Sequence, residues 1–133
     1  MESQLEMVQK CLPIEINGFC LKPLTKYLKS ISKKWMIFII MIFPIERDEF
    51  TGDITRLRYS EIKVRIRGIT SELISDTTLS SRLKELEGIK ILKKEHFAEI
   101  PPRVEYYLTP LGIQLRNSFL PLIEWAVHAC HET

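Results

Sequence analysis

An α+β fold, mostly α, follows from three features of the 133-residue sequence. Asp76 to Glu87 carries Leu79, Leu83 and Leu86 at i, i+4 and i+7 behind a Ser75-Asp76 cap, the pattern of an amphipathic helix. Two β-prone runs, Ile89 to Phe97 and Val104 to Leu108, flank Pro101-Pro102 and predict a hairpin. Leu111, Leu115, Phe119, Leu122, Ala126 and Ala129 then form one long apolar stripe, which predicts a closing helix.

The elements follow in order. Glu2 to Lys10, with Leu5 and Val8 among polar neighbours, predicts a short helix or arm, halted by Pro13 and loosened around Asn17-Gly18. Pro23 sits at a first-turn position ahead of Leu24, Tyr27, Leu28 and Ile31, whose spacing of three and four gives a first core helix. Ser32 is placed to cap the next helix. Trp35, Ile39, Ile40 and Phe43 make that helix apolar enough to lie at the centre of the fold, until Pro44 ends it. Ile45 to Thr55 is polar and holds Gly52, a loop longer than the ~4–6 residues usual for a connection. The next stretch has two readings: Ile62, Val64 and Ile66 alternate as in a strand, while Tyr59, Ile62, Ile66 and Ile69 fit one helix face. Gly88 stands where the capped helix should stop, and Thr109-Pro110 opens the closing helix.

Composition bounds the function. A chain of this length fits one domain with its own core. At 45% hydrophobic and 27% charged residues it has globular composition rather than that of a disordered chain. The longest apolar run, Trp35 to Phe43, is well short of the ~20 residues of a membrane helix, and no signal sequence opens the chain, so a cytoplasmic protein with no membrane partner is expected. Cys11, Cys20 and Cys130 are odd in number and widely spaced, which predicts neither a disulfide scaffold nor a zinc clip. His128 and His131 share one helix face near Cys130 and Glu132, but two adjacent ligands are not a metal site. No phosphate loop or nucleophile elbow is present, so no enzyme, no catalytic residue and no cofactor is expected.

Net charge is only +2, yet Arg56 to Arg103 holds eleven basic residues against seven acidic ones. Helix, capped helix and hairpin in that order is the winged-helix arrangement, in which one helix enters a major groove about 12 Å wide and the hairpin reaches the neighbouring backbone. On Asp76 to Glu87 the leucines face the core. Thr77, Ser81 and Lys84 project opposite them, with Thr78 and Arg82 on the flanks, and hydroxyls and a guanidinium suit base edges and phosphates.

The run Ile91-Leu92-Lys93-Lys94, followed by Glu99-Ile100-Pro101-Pro102-Arg103-Val104-Glu105-Tyr106-Tyr107-Leu108-Thr109-Pro110-Leu111-Gly112, closely resembles the wing and following helix start of HxlR-type transcription regulators, relatives of the MarR group. Pro23 to Trp35, ending in Lys34-Trp35, resembles the first helix of that family. Thr78-Leu79-Ser80-Ser81-Arg82-Leu83-Lys84-Glu85-Leu86-Glu87 resembles its recognition helix. The likeness spans roughly residues 20 to 127. It implies a helix where Ser60 to Arg67 falls, preceded by a very short strand near Arg58-Tyr59. Such regulators carry Cys-Pro at the start of the first block, and in some of them that cysteine senses oxidants or electrophiles. Here Lys22 precedes Pro23, and Cys20 lies two residues upstream. The loop before Tyr59 exceeds the family norm, and a few extra residues fall near Ser71 to Leu73.

The reading is a winged helix-turn-helix with a C-terminal dimerisation helix. Residues 1–19 form an arm or short helix, and 20–133 the DNA-binding domain with the dimerisation helix at about 110–131. The expected function is a sequence-specific transcription regulator binding double-stranded DNA as a homodimer on a roughly palindromic operator. Thr77, Thr78, Ser81, Arg82, Lys84, Lys93, Lys94 and Arg103 are expected at the DNA. Leu111, Leu115, Phe119, Leu122 and Ala126 are expected at the dimer interface, because their stripe outruns what one small domain covers. The alternatives are a winged-helix interaction module that binds no DNA, and a sensor responding to a thiol oxidant or to a small-molecule effector near Trp35.

Overall fold

The computed structural model describes residues 15–132, and the expected arm over Glu2 to Lys10 lies outside them. The described residues pack as two units, divided between Met36 and Ile37. In the first, β1 (Glu15–Ile16) pairs antiparallel with β2 (Phe19–Cys20). Asn17 and Gly18 connect them with φ of 54° and 80°. Asn-Gly tolerates two left-handed residues in succession, so the stretch expected to be loose is a tight two-residue hairpin. α1 (Lys22–Ile31) follows, with Pro23 in its first turn. Ser32 closes this helix, its N–H donating to the Leu28 carbonyl at 3.0 Å, and does not cap the next one. Trp35, with φ of 80°, interrupts the helical run. Cys20 is buried and disulfide-bonded, which corrects the expectation drawn from cysteine spacing, whereas Cys130 is exposed and outside any disulfide.

α2 (Met36–Ile42) is the apolar helix expected before Pro44, and Ile39, Ile40, Ile42 and the following Phe43 are buried. Arg65 donates to the Ile42 carbonyl at 3.2 Å and Arg116 to that of Met41 at 3.4 Å. Both guanidiniums thus sit at the carbonyl end of α2, where the helix dipole favours positive charge. The long loop is internally hydrogen-bonded. Asp48 accepts from the N–H groups of Phe50 and Thr51 at 2.8 and 3.0 Å, and Arg47 bridges to Ile54. Those N–H donors, Thr51 first, hold the Asp48 carboxyl below its ordinary range.

β3 (Leu57–Arg58) precedes α3 (Tyr59–Thr70), in which Ile62 and Ile66 are buried while Val64 and Ile69 are exposed. The helical alternative holds because one face of this segment meets the core and a strand would have alternated. α4 (Asp76–Gly88) buries Leu79, Leu83 and Leu86. It stops at Gly88, as expected, but the left-handed position that glycine usually fills falls to Lys90, with φ of 67°. Ile91 N–H donates to Leu86 O at 2.9 Å and Lys90 N–H to Glu87 O at 3.1 Å, the paired bonds of a Schellman ending.

β4 (Leu92–Phe97) and β5 (Arg103–Leu108) form the hairpin, and β3 adds to it in the order β3-β5-β4. Leu92, Tyr106, Leu108 and Leu57 are buried on one face of this sheet. α5 (Pro110–Glu132) closes the chain, with Pro121 inside it. Thr109 caps α5, accepting from Gly112 N–H at 3.0 Å while its own N–H donates to Ile91 O at 3.0 Å.

Candidate nucleic-acid interface

α3, a turn through Ser71 (φ 59°) and α4 make the helix-turn-helix. Ser75 opens α4: its hydroxyl accepts from Thr78 N–H at 3.2 Å and donates to the Thr78 hydroxyl at 2.8 Å. Thr78 is therefore partly engaged in the cap and half-buried, which leaves it less available to DNA than Thr77. The burial of α4 separates its two faces. Leu79 and Leu86 are 0% exposed and Leu83 1%, whereas Thr77, Ser81 and Lys84 are exposed and Arg82 is half-buried near Glu85.

Three side chains that were not read as part of the site set the pose of α4. Tyr59 Oη donates toward the Asp76 carboxylate at 3.1 Å, and Lys63 Nζ meets the same oxygen at 2.7 Å. Asp76 stands in the first turn of α4, where the helix dipole already favours a carboxylate. The Lys63 hydrogen bond first, then that of Tyr59, hold its carboxyl below the ordinary value, and Asp76 in turn holds Lys63 above its own. Asp76 in the first turn, next to the Ser75 cap, was the available signal; its partners lie 13 and 17 residues away, beyond any local pattern.

The wing is built differently from the expectation for Arg103. On the outer face of the sheet Glu95 lies directly opposite Glu105, an unfavourable pairing of like charges. Arg56 pairs with Glu95 and lies over the Tyr107 ring, 4.6 Å from its centroid. Arg103 meets Glu99 and Glu105, each at 3.4 Å, and lies 4.1 Å from the centroid of Phe97. Its guanidinium is thus spent inside the hairpin, matched by two carboxylates. Lys93 and Lys94 are exposed on β4, but near its base, about 13 and 10 Å short of the strand's outer end at 3.3 Å per residue. There, with Lys90, they line a cavity of about 520 Å³.

The interface residues expected on α5 divide. Phe119 is only 5% exposed and belongs to the chain's own core, and Leu115 is half-buried. Leu111 and Leu122 are exposed at 44% and 54%, and Ala126 is exposed. The second half of the helix adds Leu120, Ile123, Trp125 and Val127, all exposed and not part of the expected set. Among the described residues no helix is long and apolar enough to cross a membrane, and no three His, Cys, Asp or Glu side chains gather as metal ligands.

Comparison with known proteins places this geometry. Residues 30–133 match the HxlR-like helix-turn-helix family. An uncharacterized HTH-type transcriptional regulator of Halalkalibacterium halodurans is 34% identical over 100 residues, which covers 75% of this chain and 77% of the relative. The reduced form of the transcriptional regulator YodB from Bacillus subtilis superposes with a TM-score of 0.65 at 28% identity, over 84% of this chain and 96% of that one. A structure from Enterococcus faecalis V583 assigned to the MarR family gives 0.64 at 26% identity, over 89% and 94%.

Proposed function

The chain belongs to the HxlR-like helix-turn-helix family and is a DNA-binding transcriptional regulator, and from that premise we propose that it acts as a homodimer on a roughly palindromic operator. One α4 enters the major groove of each half-site, the two sites about 34 Å apart. The observation that carries this reading is the partition of α4. Three leucines anchor it, and Thr77, Ser81 and Lys84 are exposed on the opposite side of the helix. The Lys84 side chain is exposed, so its charge can reach a phosphate. Two-fold pairing is supported by the apolar second half of α5, since contiguous exposed apolar surface of this kind marks an interface.

Fluorescence anisotropy with operator and scrambled duplexes over a salt series tests it. Ser81→Ala should weaken operator binding by about 1–3 kcal/mol and leave the scrambled duplex nearly unaffected. Lys84→Gln should weaken both and reduce the salt slope by about 1. Arg103→Ala should leave that slope unchanged, because its charge is already matched within the wing. Unaltered operator affinity in both α4 variants would overturn the assignment of the reading helix.

A further inference from the structure

The tip of the wing offers a phosphate very little. Ala98 to Pro102 join β4 to β5 and are exposed throughout. The charged group among them, Glu99, is met by Arg103 at 3.4 Å. Pro101 and Pro102 have no N–H to donate, and the Glu99 N–H already donates to the Phe97 carbonyl at 2.9 Å. Ile100, by contrast, is 103% exposed, the highest value of any large apolar side chain among the described residues. A lone exposed isoleucine is ordinary on a protein surface, so its meaning depends on what adjoins it.

What adjoins it is the reading helix. A cleft of about 280 Å³ separates the tip from the start of α3, with Ile100, Pro101 and Pro102 on one side and Tyr59 and Ser60 on the other. Tyr59 reaches in turn to the N-terminal half of α4, its hydroxyl 3.1 Å from the Asp76 carboxylate and 3.4 Å from Ser80 Oγ. One tyrosine thus connects the wing tip to the end of α4 that meets bases in helix-turn-helix proteins. A major groove about 12 Å wide is filled by a single helix, so the groove left for the tip is the neighbouring minor groove.

We propose that Ile100, backed by Pro101 and Pro102, is an apolar wedge that enters the minor groove beside each half-site and parts a base step there; this rests on the operator reading above. Isoleucine has neither donor nor acceptor for the base edges, so it does not read even the A·T against G·C distinction that the minor groove displays. What it reads is how easily a step opens. Pyrimidine–purine steps, TA and CA/TG, are the ones that unstack and kink most readily, and inserted apolar side chains kink a duplex toward the major groove. The two prolines fix φ immediately behind the wedge, which lowers the cost of holding it in place. The wing therefore adds specificity through deformation of the duplex, at a position where no hydrogen bond or ion pair is made.

The test is selection of binding sequences from a random duplex pool by the full chain, which requires no known operator. The parent should recover an inverted repeat with a TA or CA/TG step at one fixed distance outside each half-site. Ile100→Ser alters a fully exposed side chain and should keep the fold; it should recover the same half-sites without that step, and Ile100→Leu should restore it. On the duplex that the parent selects, Ile100→Ser should bind about tenfold more weakly, as for one unfavourable base pair, with the salt slope unchanged. The fluorescence of 2-aminopurine placed at the step should rise as the parent unstacks it and stay low with Ile100→Ser. Half-sites recovered by the parent without an enriched step overturn the wedge and leave the operator reading standing, whereas a pool that yields no half-site overturns both. The wedge fails equally if Ile100→Ser recovers the step unchanged, or if 2-aminopurine at the step stays low with the parent bound.

Discussion

A Cβ placed on Gly112 would lie 2.3 Å from the carbonyl oxygen of Ile91 and 3.0 Å from a Leu108 methyl. The first turn of α5 therefore rests directly on the chain leaving α4, and the atom in the way is backbone, which has no rotamer to change. Gly112→Ala should destabilise the fold by about 1–3 kcal/mol, the range for overpacking, read as a lower midpoint in urea. A midpoint equal to the parent's would show that this junction gives way easily.

Lys90 supplies the opposite case. Its left-handed backbone costs an L-residue roughly 1–2 kcal/mol that glycine is spared. Lys90→Gly should therefore raise stability, by about 1 kcal/mol. A destabilised Lys90→Gly variant would mean that the side chain holds the Schellman turn in some way other than conformation.

The Asp76 contacts predict an acid dependence. Its carboxyl titrates below its unfolded value because Lys63 and Tyr59 hydrogen-bond the charged form. That contribution is therefore complete above the unfolded pKa of about 3.9 and lost as pH falls through the lower folded value. Unfolding midpoints of the parent and Asp76→Asn should differ at neutral pH and converge at acid pH. Lys63, raised by the same contact, holds its share below about pH 10.4 and loses it as pH rises beyond the folded value. If the two chains keep a constant gap across the acid range, the contact is irrelevant to stability.

Pairing through α5 is tested at its exposed half. Trp125 is 67% exposed and Leu122 54%, so Leu122→Glu with Trp125→Glu should fold normally, run as a monomer in light scattering, and lose operator affinity far more than non-specific affinity. Phe119→Glu should instead unfold the chain, since it places a carboxylate at a buried position. A dimeric Leu122→Glu, Trp125→Glu variant would move the interface elsewhere.

What the sequence determined by itself was local. The Ser75 cap, the leucines of α4 and the Thr109-Pro110 start of α5 each depend on residues within about one helical turn, so they survive any tertiary context. The Asn17-Gly18 hairpin is equally local, since two adjacent residues that tolerate positive φ carry its turn. Tertiary structure alone decided the rest. Whether 59–70 was helix or strand depended on which face met the core. The left-handed position fell at Lys90, two residues beyond the helix, because a Schellman turn, closed by burying Leu86 and Ile91, offset the strain of a left-handed lysine. Arg103 carries the same charge in any fold, but only the register that sets Glu95 opposite Glu105 commits it to the wing. The stripe of α5 was visible as apolar throughout. Which of its residues the chain covers for itself, Phe119, and which it leaves exposed, Leu122 and Trp125, depends on how far the core extends along the helix, and no periodicity encodes that distance.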